Sequence, residues 1–154
     1  MDDKPKVRTC LWFEKDGEEA AHFYCSLLPN SRVEGAYAPQ PGPPIVVDFT
    51  LGGSPYQILI GGPHYKLSPA ASISVLTEDQ EETDRLWSAL LADGGEESMC
   101  GWLTDRFGVS WQIVPKALMK TLWSDDKDAS MRAHKAMMNM RKINVAAIEK
   151  AFKG

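Results

Sequence analysis

The chain has 154 residues, 44% hydrophobic and 25% charged, a composition typical of a globular protein with its own hydrophobic core. Its net charge is −4 and no basic run stands out, so we expect no nucleic-acid partner. No apolar stretch approaches the roughly 20 residues of a membrane span, and the first ten residues lack the apolar segment of a secretion signal. The cysteines Cys10, Cys25 and Cys100 match no zinc motif. We therefore expect a cytoplasmic protein with reduced thiols that binds neither nucleic acid nor membrane.

The first half of the chain predicts a strand, a helix and three further strands. Asp16 followed by Glu19 is a capping pattern at a helix start, and an amphipathic apolar stripe follows it. Gly52 and Gly53 predict a hairpin turn between two of the strands. The strand patterns cover residues 6–13, 31–37, 45–51 and 56–60.

The second half predicts the same order of elements. Thr77 and Gln80 form a second capping pattern before a helical stripe, and Gly94-Gly95 ends that helix. Asp105 is expected to cap the tight turn between the last two strands. The strand patterns cover residues 71–76, 99–104 and 109–114. The shared order predicts an internal repeat of roughly 60 residues, in which each helix covers one face of a small mixed sheet and the other face is free to line a cleft.

From residue 116 the composition changes to that of a helical tail. Residues 117–123, 129–140 and 145–152 predict three short helices, with Asn144 as the N-cap of the last. The tail is rich in methionine, which we interpret as packing of the tail itself. The alternative is a surface for a partner, in the first place a second copy of the chain.

Three motifs together resemble a known family. CLWFEKDGEEAAHFYCSLLPNS, IGGPHYKLSPAASISV and CGWLTDRFGVSWQIVP look like the PhnB-like proteins, also labelled 3-demethylubiquinone-9 3-methyltransferase-like, of the glyoxalase/bleomycin resistance/dioxygenase, or vicinal oxygen chelate, superfamily. We extend the resemblance over nearly the whole chain, the tail included. It implies an α+β fold of two βαβββ modules forming a cupped mixed sheet, and a homodimer. The domain then covers residues 1–115, with modules at about 6–62 and 70–115, and the tail covers 116–154.

The resemblance also raises the question of a metal, because the superfamily's enzymes hold a divalent ion in the cup with His, Glu or Gln side chains. Strand alternation places one potential ligand toward the cup, Gln112, at a position where those enzymes commonly have glutamate. A single neutral amide is too little for a site that needs about three good ligands. We therefore predict no metal site and no cofactor. The residues expected to face the cup are Arg8, Cys10, Trp12, Ser72, Ser74, Ser110, Gln112 and Val114.

The methyltransferase label requires a pocket for the methyl donor. The usual donor-binding fold has a glycine-rich turn between a strand and a helix, and none of the glycine pairs of this chain stands in such a place. We therefore treat the label as a name acquired by resemblance, and keep that activity as an alternative.

We predict a small-molecule-binding protein without catalytic metal. The alternative is an enzyme, either metal-dependent and of the glyoxalase or dioxygenase type, or the methyltransferase of the label. Trp12 and Trp102 are candidates for an aromatic wall, although large apolar residues on strands are more often core residues. His64 is the best candidate for acid–base catalysis, or else a structural hydrogen-bonding residue. The predicted ligand-binding residues are Trp12, Gln57, Ser72, Trp102 and Gln112, and the two glutamines could instead bond to each other or to backbone groups.

Overall fold

The computed structural model describes residues 4–154, which divide into two compact units between Leu67 and Ser68. The first unit forms a four-stranded mixed sheet in the order β1-β4-β3-β2, in which β1 runs parallel to β4 and the other pairs are antiparallel. Its elements are β1 (Thr9–Phe13), α1 (Gly17–Leu27), β2 (Arg32–Tyr37), β3 (Val46–Leu51) and β4 (Ser54–Ile60).

The second unit repeats this arrangement. Its sheet has the order β5-β8-β7-β6, again with a parallel first pair. The predicted internal repeat and the α+β fold of two βαβββ modules are therefore confirmed. The elements are β5 (Ser72–Thr77), α2 (Gln80–Leu91), β6 (Glu96–Glu97), β7 (Trp102–Thr104) and β8 (Ser110–Pro115).

Each sheet buries one face against its own helix. Leu11 and Phe13 of β1 are buried, as strand alternation predicts, and so are Ile73 of β5 and Ile113 of β8. The helices contribute an apolar stripe at helical spacing to each of these cores. The buried helical side chains are Ala20, Ala21, Tyr24 and Leu27 of α1, and Leu86, Trp87 and Leu90 of α2.

The two predicted capping patterns have different outcomes. Asp16 does occupy the N-cap position of α1, but its backbone is left-handed (φ 61°) and its side chain makes no cap, because a capping side chain needs an extended backbone to reach the first turn. The capping box of Thr77 and Gln80 is wrong. At the second helix the N-cap is Asp79, whose Oδ1 accepts a hydrogen bond from the Glu82 N–H at 2.9 Å. Thr77 is buried and bonds instead to the Thr83 hydroxyl at 2.6 Å.

The predicted strand at 99–104 is shorter than expected. Only Trp102–Thr104 pairs as β7, because Cys100 (φ 60°) and Gly101 (φ 82°) have left-handed backbones and form a turn. The backbone N–H groups of Cys100 and Gly101 donate to carbonyl oxygens of the tail, those of Met140 and Arg141, both at 2.7 Å. The residues predicted to extend the strand thus connect the second module to the tail.

The tail forms the helices α3 (Lys116–Leu122), α4 (Lys127–Met137) and α5 (Val145–Lys153) around a small apolar cluster. The predicted N-cap Asn144 is confirmed, since its Oδ1 accepts from the Ala147 N–H at 3.0 Å. The Gln80 side chain joins α2 to the tail, because its Nε2 donates to the Ile143 carbonyl at 3.0 Å and its Oε1 accepts from the Val145 N–H at 2.7 Å. Of the helices described in 4–154, none is long and apolar enough to cross a membrane.

Candidate functional site on the open sheet faces

The face of the first sheet opposite α1 carries two rows of side chains that run across the strands. One row is apolar and follows the register Trp12, Leu59, Val46, Tyr37; the next is polar and follows Cys10, Gln57, Asp48. Adjacent strands lie about 4.8 Å apart, so neighbours within each row are in contact range. The open face therefore presents an apolar strip beside a strip of hydrogen-bonding groups.

The indole of Trp12 is held in one position by the loop after β4. Its Nε1–H donates to the Gly62 carbonyl at 2.9 Å, and the Tyr65 ring meets it edge-on with centroids 4.9 Å apart. A Cβ on Gly61 would lie 2.3 Å from two atoms of the indole, so only glycine leaves room for the ring. The side chain is half-buried, and its place on the open face is the one predicted from alternation.

The polar row is connected by hydrogen bonds and charge. Gln57 Nε2–H donates to Asp48 Oδ1 at 2.8 Å, and Arg8 Nη1 lies 3.9 Å from Asp48 Oδ2. Burial raises the pKa of the Cys10 thiol and Asp48 raises it further, while Arg8 opposes the shift. Cys10 is thus a neutral thiol at neutral pH, which is a poor nucleophile.

Sequence reasoning missed Asp48. The signal was present in VVDFTL, where Asp48 alternates with the buried Val47 and Phe49 and must therefore lie on the open face. The carboxylate is the acceptor that Gln57 uses, so the partner of that amide lies within the first sheet.

A cavity of about 290 Å³ opens at the charged end of the same face. Glu34 lies there, and its Oε1 accepts hydrogen bonds from Arg32 Nε and Thr50 Oγ1, both at 2.8 Å. These bonds lower the pKa of the Glu34 carboxyl. Sequence reasoning did not find Glu34, because a register shift between Val33 and Gly35 breaks the alternation on which such predictions depend. The polar lining consists of Lys4, Arg8, Arg32, Glu34, Asp48 and Thr50.

The open face of the second sheet brings together the three remaining predicted ligand-binding residues. Gln112 Nε2–H donates to Ser72 Oγ at 2.9 Å, and Trp102 stands opposite Gln112 in the register of β7 and β8. The amide of Gln112 is thus bonded to a neighbouring hydroxyl of its own sheet. Ser110, predicted to face the cup, is buried, and its hydroxyl makes no hydrogen bond to any described residue.

His64 is exposed in the loop after β4. Its role as an acid or base and its role as a structural hydrogen-bonding residue both stay predictions.

The donors on these faces do not fit a catalytic divalent metal. The described part of the chain has no group of three or more His, Cys, Asp or Glu side chains that could hold a metal ion. On the first face, the Asp48 carboxylate is already engaged by Gln57 and Arg8. On the second, Gln112 and its neighbour Ser72 are neutral, and two neutral oxygens do not offset the charge of a divalent ion.

The two βαβββ modules give this protein the fold of the glyoxalase/bleomycin resistance proteins. The family model of 3-demethylubiquinone-9 3-methyltransferase matches residues 5–114, and the chain belongs to this family. The match ends before the helical tail, so our extension of the resemblance into residues 116–154 is not confirmed.

Solved structures agree with this assignment. The PhnB protein from Bacillus cereus is 32% identical with a TM-score of 0.66, over 72% of this chain and 99% of that one. Two more distant structures share the fold. One is a glyoxalase/bleomycin resistance protein from Albidiferax ferrireducens, 16% identical over 71% of this chain and 97% of that one, with a TM-score of 0.50. The other is the fosfomycin resistance protein FosX from Listeria monocytogenes, 14% identical over 80% of this chain and 100% of that one, with a TM-score of 0.56. No curated protein sequence matches the chain.

Proposed function

We propose that this protein binds a small organic molecule on its open sheet faces and does so without a catalytic metal. The observation that carries the proposal is the position of Trp12, whose indole is fixed by Gly61 and Gly62 while it remains half-buried on an open face. A pre-positioned aromatic ring binds a flat apolar group without losing side-chain freedom.

The surroundings of Trp12 indicate an amphipathic ligand. The apolar row continues from Trp12 through Leu59, and the hydrogen-bonding row with Gln57 lies one step further along the strands. Ligand sites are mainly apolar with a few placed polar groups, and this combination is present here. The second face offers a similar but uncharged set, Trp102, Gln112 and Ser72.

A competing function comes from the family description, which names a methyltransferase. Methyl transfer to a phenol requires a base near the acceptor oxygen. The two carboxylates of the first open face are already engaged, Asp48 by Gln57 and Arg8, and Glu34 by Arg32 and Thr50. Calorimetry with the methyl donor S-adenosylmethionine separates the two functions, since heat of binding at millimolar donor would favour the enzyme.

The test of the binding function is an NMR titration with 2-naphthol, a flat apolar molecule with one hydroxyl group. We expect it to shift the Nε1–H signal of Trp12. Its affinity should fall roughly tenfold in Trp12→Leu, the size of effect expected from the loss of one aromatic contact. The matched control is Trp123→Leu, because Trp123 is 78% exposed in the tail. Equal affinities in the two variants would contradict the proposal.

A separate experiment tests the absence of a catalytic metal. The metal content is measured after purification without chelators, and the melting temperature is measured with Zn²⁺, Ni²⁺, Mn²⁺ and Fe²⁺. About one ion per chain would refute the absence of a metal.

We also propose that the protein is a cytoplasmic homodimer. Its three cysteines are free, in keeping with a reducing compartment. Met131 and Met138 of the tail are 54% and 51% exposed, whereas Met137 and Met140 pack against the tail cluster. The first pair would be covered by a second copy. Sedimentation of the wild type and of Met131→Lys tests this, and a wild-type monomer would exclude it.

A further inference from the structure

We propose that the charged end of the first open face is a binding pocket for the carboxylate or phosphate group of a small molecule. It goes beyond the function proposed above, because it is a separate site from Trp12. Arg8 precedes Trp12 by four positions in the sequence, which is roughly 13 Å along an extended chain. A small ligand can therefore occupy the pocket without touching the indole.

The first argument is the concentration of positive charge. Residues 1–115 contain eight Lys and Arg against seventeen Asp and Glu, so this part of the chain is strongly acidic. Three of those eight basic residues, Lys4, Arg8 and Arg32, nevertheless line one cavity together with two carboxylates, Glu34 and Asp48. The pocket is thus positive in an acidic region, which favours the entry of an anion there.

The second argument is which hydrogen-bonding groups are already in use. Asp48 accepts from Gln57, and Glu34 accepts from Arg32 and Thr50, so both carboxylates are engaged within the sheet. The guanidinium of Arg8 is 3.9 Å from the nearest Asp48 oxygen, which is too long for a hydrogen bond. Arg8 thus contacts Asp48 as an ion pair and not through a hydrogen bond, which leaves its guanidinium N–H groups available to a ligand.

The arginine side chains of the pocket are more exposed than its carboxylates. The side chains of Arg8 and Arg32 are 51% and 78% exposed, whereas those of Asp48 and Glu34 are 39% and 34% exposed. The cations therefore project further toward solvent than the carboxylates. Two guanidinium groups on one cavity suit an oxyanion, since each can form paired hydrogen bonds with its oxygens.

The volume sets the size of the ligand. At about 290 Å³ the cavity is near the lower end for small-molecule sites, which range over roughly 300–1,000 Å³. Pro5, Phe49, Gly53, Pro55 and Tyr56 complete its lining. Burial raises the pKa of the Tyr56 phenol, so at neutral pH its hydroxyl is protonated and can donate a hydrogen bond. A single ring bearing one anionic group fits these limits.

The test is an NMR titration of the full chain with four probes: benzoate, phenyl phosphate, inorganic phosphate and the neutral benzamide. We expect the anions to shift the Nε–Hε signals of Arg8 and Arg32, and benzamide to leave them unchanged. Tighter binding of benzoate than of phenyl phosphate would identify a carboxylate ligand, and the reverse order a phosphate. Arginine signals that do not respond to any anion at tens of millimolar, or that respond equally to benzamide, would overturn the proposal.

Two variants with opposite expected effects on anion affinity extend the test. Arg8→Gln should weaken binding of the better anion roughly tenfold, through loss of a charge-assisted hydrogen bond. Asp48→Asn should strengthen it several-fold, because it removes a nearby negative charge. The control is Lys15→Gln, which makes the same charge change at an exposed position outside the pocket lining. Two outcomes would contradict the proposed pocket. One is a similar loss of anion affinity in Arg8→Gln and Asp48→Asn, and the other is a similar loss in Arg8→Gln and Lys15→Gln.

The outcome is independent of the proposed function at Trp12. If the anions bind and 2-naphthol does not, the pocket stands and the proposal for Trp12 fails. If 2-naphthol shifts Trp12 and the anions shift nothing at Arg8, the proposal for Trp12 stands and the pocket fails.

Discussion

Replacing Gly61 by alanine tests whether the indole of Trp12 is held in one position. The added Cβ would lie 2.3 Å from two atoms of the indole, more than 1 Å closer than ordinary carbon contacts. Gly61 does not have a left-handed backbone, so alanine meets no conformational barrier there and the effect is steric alone. The indole must therefore move.

The size of the effect follows from the contacts that the displaced indole loses. Its hydrogen bond to the Gly62 carbonyl at 2.9 Å contributes about 0.5–1.5 kcal/mol. The edge-on contact with Tyr65 contributes a similar amount, about 0.5–1.5 kcal/mol. We expect Gly61→Ala to lower the free energy of unfolding by about 1–3 kcal/mol and to move the Nε1–H signal of Trp12.

The control is Gly35→Ala, because no atom lies within 4 Å of a Cβ added at Gly35 and its backbone is not left-handed. We expect this variant to stay within about 0.5 kcal/mol of the wild type. Urea unfolding and a proton–nitrogen NMR spectrum of each variant provide the comparison. An unchanged Trp12 signal in Gly61→Ala, with stability equal to that of Gly35→Ala, would refute the description of a fixed indole.

The other predictions concern a buried carboxylate, the attachment of the tail, and the thiols. Asp105→Asn should lower the free energy of unfolding by about 2–4 kcal/mol. The buried carboxylate accepts hydrogen bonds from two backbone N–H groups and from an indole N–H. In the variant, the NH₂ group of the asparagine would face the indole N–H, and two donors cannot form a hydrogen bond with each other. The exposed Asp93→Asn should change stability by less than about 0.5 kcal/mol, and equal effects in urea unfolding would contradict the reasoning. Gln80→Ala should lower the free energy of unfolding by about 1–3 kcal/mol and speed hydrogen exchange of the N-terminal amides of α5, whereas unchanged exchange would mean that this side chain does not attach the tail. Burial raises the pKa of Cys10 and Cys25, so the stability that their protonated forms contribute is present below the unfolded-state pKa of about 8.5 and is lost as the pH rises through the higher folded-state pKa. Melting temperatures from neutral to alkaline pH should therefore fall less steeply in a Cys10→Ser, Cys25→Ser double variant, and equal slopes would exclude the thiols as the cause.

The parts of the fold that follow from periodicity were predictable. Alternation alone places Trp12 and Gln112 on open faces and Leu11 and Ile113 in the cores, because a strand buried on one side leaves no other choice of face. The repeat was visible for the same reason, since each half must supply one apolar helix to one sheet. These inferences need only local spacing.

The features that escaped prediction depend on particular backbone angles or on distant partners. The left-handed backbone of Asp16 removed a cap that its sequence favours. The charged pocket could not be predicted, because the register shift beside Glu34 breaks the alternation of β2. Its residues also come from β2 and β3, which lie side by side only after the strands have paired. Asp48 could have been found by extending the alternation argument from β1 to β3.

The two modules share one strand order and differ in the chemistry of their open faces. The first has a charged row built around Asp48, and the equivalent region of the second has the uncharged pair Gln112 and Ser72. A protein that arose by duplication of one module would begin with two equal faces. The present faces are unequal: the first module has charged groups on its open face, whereas the second has uncharged ones and attaches the helical tail through Gln80 and Gly101.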